Sequence, residues 1–258
     1  MNSQRSVFRR IFLAGWRVLD GARKLVLNLV FFFLLYLVIS ALLDFEETLI
    51  IHPNTALVLQ PQGDVVEEYS GTPLDYALQQ ATETSRAETR LRDLTDAIRR
   101  AADDERIVRL VIDPDYLWGI GLASLQELEA AIEEFRAAGK PVVALADMLS
   151  QQQYYLAALA DEIWLNPRGV VWIDGFANYR NFYAEGLDKL EVEVNLFRAG
   201  KYKSAMEPFV RNDMSPEAEE LEKDTYGDLW RGYLSDVAAA RKVRREDISA
   251  AIDAAPER

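Results

Sequence analysis

The chain of 258 residues contains no cysteine and a single histidine, His52. Disulfides, thiolate nucleophiles and Cys/His zinc sites are thereby excluded. A Ser-His-Asp triad would have to use His52, which sits next to Pro53 close behind an apolar run and reads as a linker residue. Missing cysteine fits any compartment and assigns none. Basic residues are also scarce, 29 Lys and Arg against 42 Asp and Glu, giving a formal net charge of -13. That balance repels a phosphate backbone, so no nucleic-acid partner is expected. No Walker loop, GxGxxG or HExxH occurs, and neither a cofactor nor a metal is expected. Carboxylates are plentiful, but runs such as EELEKD at 219–224 and EEF at 133–135 have the helical spacing of solvated faces.

The charge that is present is unevenly placed. Arg5, Arg9, Arg10, Arg17, Arg23 and Lys24 face only Asp20 in residues 1–24, a local net of +5 that leaves -18 for the remainder. Residues 25–43, LVLNLVFFFLLYLVISALL, then carry no charge, and only Asn28 and Ser40 are clearly polar. At about 1.5 Å per helical residue the run covers about 28 Å, close to the hydrocarbon thickness of a bilayer. It is longer than a signal-peptide core and is followed by Asp44, Glu46 and Glu47 rather than a small-residue cleavage site. Residues 1–24 therefore read as a basic cytoplasmic segment and 25–43 as a retained transmembrane anchor. Everything from residue 44 onward would cross the membrane, into the periplasm if the cell is bacterial.

Residues 44–90 read as a linker with a first strand and turn in TALVLQPQGDVVEEY, followed by a polar loop or frayed helix at 70–88. From 91 the pattern alternates. Leu91, Leu94, Ile98 and Ala101 recur at helical spacing, and IVRLVID at 107–113 is a compact apolar strand. Ser124 and Glu127 suggest a capping box opening a helix that Gly139 and Pro141 close. PVVALA at 141–146, EIWLNP, GVVWI and VEVNLF at 192–197 are further strands, with a short helix at 152–160 and another through NFYAEGLDKL. Ser215 and Pro216 start a long amphipathic helix to about Ala240, and a further helical pattern begins before DISAAIDAAPER. Strands separated by single helices predict an α/β fold with a largely parallel sheet.

Candidate chemistry centres on AGKYKSAMEPF at 199–209. Lysine is the base that remains, and to act near neutral pH its pKa must fall from about 10.4 to roughly 7 to 8, a preference of about 4 kcal/mol for the neutral amine. Burial supplies such a shift. Lys203 has the apolar neighbours for it in Phe197, Tyr202, Ala205, Met206, Pro208 and Phe209, with Lys201 as a possible like-charge neighbour. A surface lysine with its stem along apolar residues is the alternative. Ser204 is poorly placed as a nucleophile, because adjacent side chains diverge on either regular element. Ser150 lies at a strand-to-helix turn, where a helix dipole favours an oxyanion, but with Gln153 it also makes a capping box. The two glycines of WGIG at 118–121 suit either an oxyanion hole or a plain turn.

The basic N-terminus, single span, GKPVVALADMLSQQQYYLAALADEIWLNPRGVV and FRAGKYKSAMEPFVRNDMSPEAEE together strongly resemble the N-terminal half of the long, two-repeat form of bacterial signal peptide peptidase A. The resemblance is loose at 44–90 and tight from about 139 to 240. It implies a membrane-anchored serine peptidase of ClpP/crotonase-like fold that degrades released signal peptides through a Ser/Lys dyad. Lys203 falls on the lysine general base. The family's nucleophile belongs to the second repeat, in a Ser-Gly-Gly-Tyr turn, and the equivalent turn here reads Gln151, Gln152, Gln153 and Tyr154. Residues 91–258 are thus expected to be the first repeat, truncated before the second, whose serine would complete the dyad. Expected partners are signal peptides or other apolar extended peptides, the bilayer through residues 25–43, further copies of the chain in a homo-oligomer, and the missing C-terminal repeat. The rival expectation is a membrane-tethered scaffold that keeps the fold without the chemistry.

Overall fold

The computed structural model of the chain describes residues 3–42, 50–72, 75 and 87–254. Two compact units result, Met1–Ile50 and Ile51–Arg258. In the first, one helix, α1 (Ser3–Leu42), runs unbroken through the basic stretch as well as the apolar one. Within it Leu19–Ser40 is long and apolar enough to cross a bilayer, with a mean hydropathy of 2.0 and none of its 22 residues buried. Asp20 pairs along the helix with Arg23 at 3.1 Å and Lys24 at 2.6 Å. These pairs bring the charges together at one end of the apolar run.

In the second unit the chain runs β1 (Thr55–Leu59), β2 (Gly63–Val66), β3 (Glu88–Arg90), α2 (Leu91–Asp103), β4 (Ile107–Ile112), β5 (Leu117–Gly119) and α3 (Leu122–Ala137). It continues through β6 (Val142–Ala146), β7 (Leu149–Ser150), α4 (Gln151–Ala158), β8 (Glu162–Leu165) and β9 (Val171–Trp172). Four helices follow: α5 (Ala184–Lys189), α6 (Glu207–Val210), α7 (Pro216–Arg241) and α8 (Arg245–Asp253). The main sheet has the order β1-β4-β6-β8, with smaller sheets β3-β2-β5 and β7-β9, and every pairing is parallel. Parallel neighbours need a crossover, and α2, α3 and α4 supply the three that the main sheet requires. The α/β class with parallel sheets is therefore as the alternation of apolar runs predicts. Of the polar stretch expected at 70–88, residues 73, 74 and 76–86 lie outside the described residues.

Period-2 and period-3.6 patterns meet in one core. Leu59, Ile112 and Ala144 stand in register on one face of the main sheet and are buried with Leu110 and Val142. Against them pack Leu91, Leu94, Ile98 and Ala101 of α2 and Leu125, Leu128, Ile132 and Phe135 of α3. The Lys140 ammonium closes α2 by donating to the Ala101 and Asp104 carbonyls at 2.7 and 2.8 Å, where a helix C-terminus favours a cation. The opposite face of the sheet is apolar but uncovered: Val58 is 57% exposed, Leu145 44% and Trp164 64%.

Two local expectations change. The α3 helix opens at Leu122 after Gly121, whose carbonyl accepts from the Leu125 N–H at 3.0 Å, so Ser124 lies inside the first turn and caps nothing. The reason is packing: Leu122 joins the core, and that extra turn outweighs the polar cap that Ser124 could make. VEVNLF at 192–197 forms no strand. No ladder reaches it among the described residues, and an extended segment without a partner strand leaves its backbone to water.

The α4 helix is clamped between the sheet layer and α7. Its Tyr155 is buried, and its hydroxyl lies 2.8 Å from Glu129 Oε2 of α3 and 2.9 Å from Asp236 Oδ2 of α7. One hydroxyl proton can serve only one of two carboxylates. Burial pushes the Glu129 carboxyl above the ordinary glutamate range; the Tyr155 bond opposes this, and the charges of Asp236 and Glu133 reinforce it. A carboxyl that takes its proton more readily in the folded state stabilises the fold fully below the ordinary glutamate range, and that contribution fades as pH rises through the raised value. Unfolding in urea at pH 5 and pH 7 should show wild type losing stability with rising pH at this site. Glu129→Gln should flatten the pH dependence and be about 0.5 to 1 kcal/mol more stable than wild type at pH 7. Equal pH slopes for the two proteins would rule out the raised Glu129 carboxyl.

Candidate functional site

Two places carry the candidate residues: the turn that enters α4, and the irregular segment between α5 and α7. At the first, Ser150 is the N-cap of α4 with extended backbone. Its Oγ accepts from the Gln153 N–H at 3.4 Å, and the Gln153 Oε1 accepts from the Ser150 N–H at 2.8 Å, a complete capping box. Gln153 also donates from Nε2 to the Leu117 carbonyl at 2.9 Å. Gln151 accepts from the Gly175 N–H at 2.7 Å, and its own carbonyl accepts from the Tyr233 hydroxyl at 3.1 Å. The glutamines at this turn are thus structural ties between β5, α4, α7 and the chain after β9. Tyr154, the last residue of the turn, is half-buried. A largely apolar groove of about 400 Å³ opens beside it, with Tyr154, Val171, Ile173, Ile248 and Ile252 among its lining residues and Asp247 as its one charged member.

WGIG resolves into a junction. Gly119 ends β5 opposite Asp64, and a Cβ there would fall 2.8 Å from the Asp64 Oδ1, so a larger residue would have to displace that carboxylate. Gly121 is the N-cap of α3. The two glycines thus lie at the junction of β5 and α3. His52 is exposed, its carbonyl accepting from the Thr55 hydroxyl at 2.7 Å in the turn before β1.

Lys203 lies in a tight turn before α6. Gly200, at φ +98°, takes a conformation that only glycine adopts freely, and its carbonyl accepts from the Lys203 N–H at 3.4 Å. The side chain is exposed, contrary to the burial expected of it. Its apolar sequence neighbours do not close over it: Phe197 is 95% exposed, and Tyr202, Met206 and Phe209 each keep more than a third of their surface open. Pro208 alone of these larger neighbours is buried. Short apolar side chains on a turn point outward in several directions, so apolar composition over eleven residues does not amount to an apolar site. Lys201 turns away onto the Tyr202 ring, 4.6 Å from its centroid. Hydrogen bonding to Tyr202 raises its pKa, as do the charges of Glu220 and Glu217, which keeps this lysine an ammonium. Among the described residues no hydrogen bond joins Ser150 to Lys203, and Ser150 is committed to its cap.

Sequence reasoning passes over two residues that organise this turn. Glu207, the first residue of α6, has a side chain with 0% exposure. Its Oε2 accepts from the Ser215 N–H at 3.1 Å and its Oε1 from Arg198 Nη1 at 3.4 Å. Arg198 Nη1 also donates to the Lys203 carbonyl at 3.3 Å. Burial alone would push the Glu207 carboxyl up, but the bonds from Ser215 and Arg198 and the charge of Arg211 outweigh it and hold the group below the ordinary glutamate range. Neither residue falls in a periodic pattern. The only sequence signal is the Ser215-Pro216 helix start that Glu207 reaches.

Comparison with known proteins places this geometry. Residues 134–255 match peptidase family S49. Protease 4 of Salmonella typhi is 38% identical over 252 residues, 92% of this chain and 40% of that protein. Protease 4 of Haemophilus influenzae is 39% identical over 241 residues, 90% of this chain and 39% of that protein. The chloroplastic serine protease SPPA of Arabidopsis thaliana is 27% identical over 158 residues, 61% of this chain and 23% of that protein. The chain thus spans about two fifths of the length of the two bacterial relatives. The stretch that matches peptidase family S49 runs from the end of α3 through the α4 turn, the Lys203 turn and α7 into α8.

Proposed function

We propose that the chain is the lysine-bearing part of a membrane-anchored serine peptidase, with Lys203 as general base of a Ser/Lys dyad acting on signal peptides released from preproteins. The observation that carries this reading is that Lys203 lies within the stretch matching peptidase family S49, on a turn fixed by hydrogen bonds and open on its side-chain face. In the proposed mechanism the neutral amine takes the proton of a serine hydroxyl as that oxygen attacks the scissile carbonyl, and later returns it to the leaving amine. A lysine is neutral near pH 7 only when desolvated. The exposed Phe197, Tyr202, Met206 and Phe209 are the surface on which a second, serine-bearing repeat of the ClpP/crotonase-like kind would close, covering the amine as it brings the nucleophile.

The apolar groove beside Tyr154 supports an apolar, extended substrate, since side chains of a peptide laid against a sheet edge need pockets of that character. The apolar span of α1 supports anchorage in a bilayer. With the basic segment cytoplasmic, the second unit would face the periplasm of a bacterial inner membrane. Homo-oligomerisation completes the proposal, and the uncovered sheet face with Val58, Leu145 and Trp164 is compatible with it. The scaffold reading keeps one observation in its favour: Ser150, the hydroxyl at the α4 turn, is occupied as an N-cap.

Peptidase activity of the full chain in detergent, alone and mixed with a separately expressed second repeat, tests the assignment on an apolar signal-peptide substrate. Activity should appear only in the mixture, and Lys203→Ala should lower it by about a thousandfold or more. A complex that forms yet stays inert favours the scaffold. Ser150→Ala should leave the activity of the mixture in place while lowering stability by about 1 kcal/mol, the ordinary cost of a lost N-cap. Loss of activity with unchanged stability would make Ser150 the nucleophile instead.

A further inference from the structure

The Lys203 side chain is exposed, yet the backbone beneath it is tied to Glu207, a carboxylate whose side chain is 0% exposed. Arg198 Nη1 stands between two acceptors, the Lys203 carbonyl at 3.3 Å and the Glu207 Oε1 at 3.4 Å. The other oxygen of Glu207 accepts the Ser215 N–H at 3.1 Å, and the Glu207 N–H itself donates to the Ser204 carbonyl at 3.0 Å. The bonds therefore run without a break from the carbonyl of Lys203, through guanidinium and carboxylate, to the residue that starts α7.

Capping α7 does not explain all of this. The Ser215 Oγ accepts the Ala218 N–H at 3.2 Å and the Glu207 Oε2 takes the N-cap N–H, but neither bond calls for the Arg198 arm that reaches the Lys203 carbonyl. Nor does burial favour it, since taking a carboxylate fully out of water is costly unless each lone pair finds a partner. An exposed glutamine or an apolar residue at 207 would serve α6 equally well. What the buried charge adds is a fixed geometry for the turn that presents Lys203, in a segment with no strand or helix from 190 to 206 to hold it.

We propose that Arg198 and Glu207 are positioning residues for Lys203, an inference that rests on the general-base reading of that lysine. The guanidinium holds the Lys203 carbonyl, and the carboxylate anchors the guanidinium to the start of α7. The amine thus leaves from a fixed Cα when the serine arrives. Arg198, with its side chain 40% exposed, can be changed without emptying the core, whereas Glu207 cannot. Arg198→Ala is therefore the main variant and Glu207→Gln the second.

In the mixed peptidase assay, Arg198→Ala should lower kcat about 10- to 100-fold, the effect of a misplaced catalytic group, with KM within about twofold of wild type. Amide exchange on the same chain should rise about tenfold at residues 200–204 while that of α7 stays protected. Glu207→Gln should loosen residues 200–204 or residue 215, because the amide keeps one accepting oxygen and sets a donor against a donor in place of the other. Wild-type kcat for Arg198→Ala, in an assay that Lys203→Ala silences, overturns the positioning role and leaves the general-base reading standing. Unchanged exchange at 200–204 in both variants overturns it also. If Lys203→Ala keeps full activity, the general-base reading is the one that fails, and the exchange data alone decide whether the link holds the turn.

Discussion

The packing of α4 against α7 is the contact on which the second unit depends. Tyr155 and Tyr233 meet at 5.9 Å between ring centroids, Tyr233 stacks on Trp230 at 5.3 Å, and Trp230 meets Phe176 edge-on at 6.4 Å. Aromatic pairs in such offset and edge geometries add about 0.5 to 1.5 kcal/mol each beyond the area they bury. The column does more than stabilise. It ties the sheet layer, through α4, to the one helix whose N-terminus reaches the Lys203 turn. The Arg241 guanidinium repeats the tie at the far end of α7 by donating to the Ala160 carbonyl at 3.0 Å. Two turns distant in sequence are thereby held by one rigid helix pair.

Legibility in the sequence follows from whether local and tertiary preferences agree. The α2 helix was readable because Leu91, Leu94, Ile98 and Ala101 state its buried face without ambiguity. The Ser150-Gln153 box and the Ser215-Pro216 start were readable because capping is a contest among a few neighbouring atoms. Where the partner lies far along the chain, the reading fails. Ser124 and Glu127 have the same spacing as a true box, yet Leu122 finds the core and moves the boundary. VEVNLF has the alternation of a strand, but a strand exists only beside another, and no residue within it says whether one is there.

The candidate site divides along the same line. Proposing Lys203 needed only the motif around it, whereas Arg198 and Glu207 did not show in the sequence. Arg198 and Glu207 are ordinary charged residues in an irregular segment, and their value comes from a meeting with Ser215 that sequence spacing does not encode. Conversely, the run of Phe197, Tyr202, Met206 and Phe209 suggested burial that the fold of this chain does not deliver. Apolar composition reports a demand for cover, and it does not say where the cover comes from.

That demand bears on the proposed mechanism. A general base that stays protonated in water and becomes competent only when covered cannot act before the covering surface is in place. Under the proposed assignment, such a dependence would restrict hydrolysis to the assembled protein. The arrangement also separates two requirements that a buried lysine would have to meet at once. The backbone is held by Arg198 and Glu207, a pair whose carboxylate is 0% exposed and whose guanidinium is 40% exposed, and the Lys203 amine stays in solvent. Because the Glu207 carboxylate is already out of solvent with a partner on each oxygen, closing a second surface over Lys203 would not have to desolvate that group as well, and burial of the exposed aromatic residues would offset part of the cost that remains.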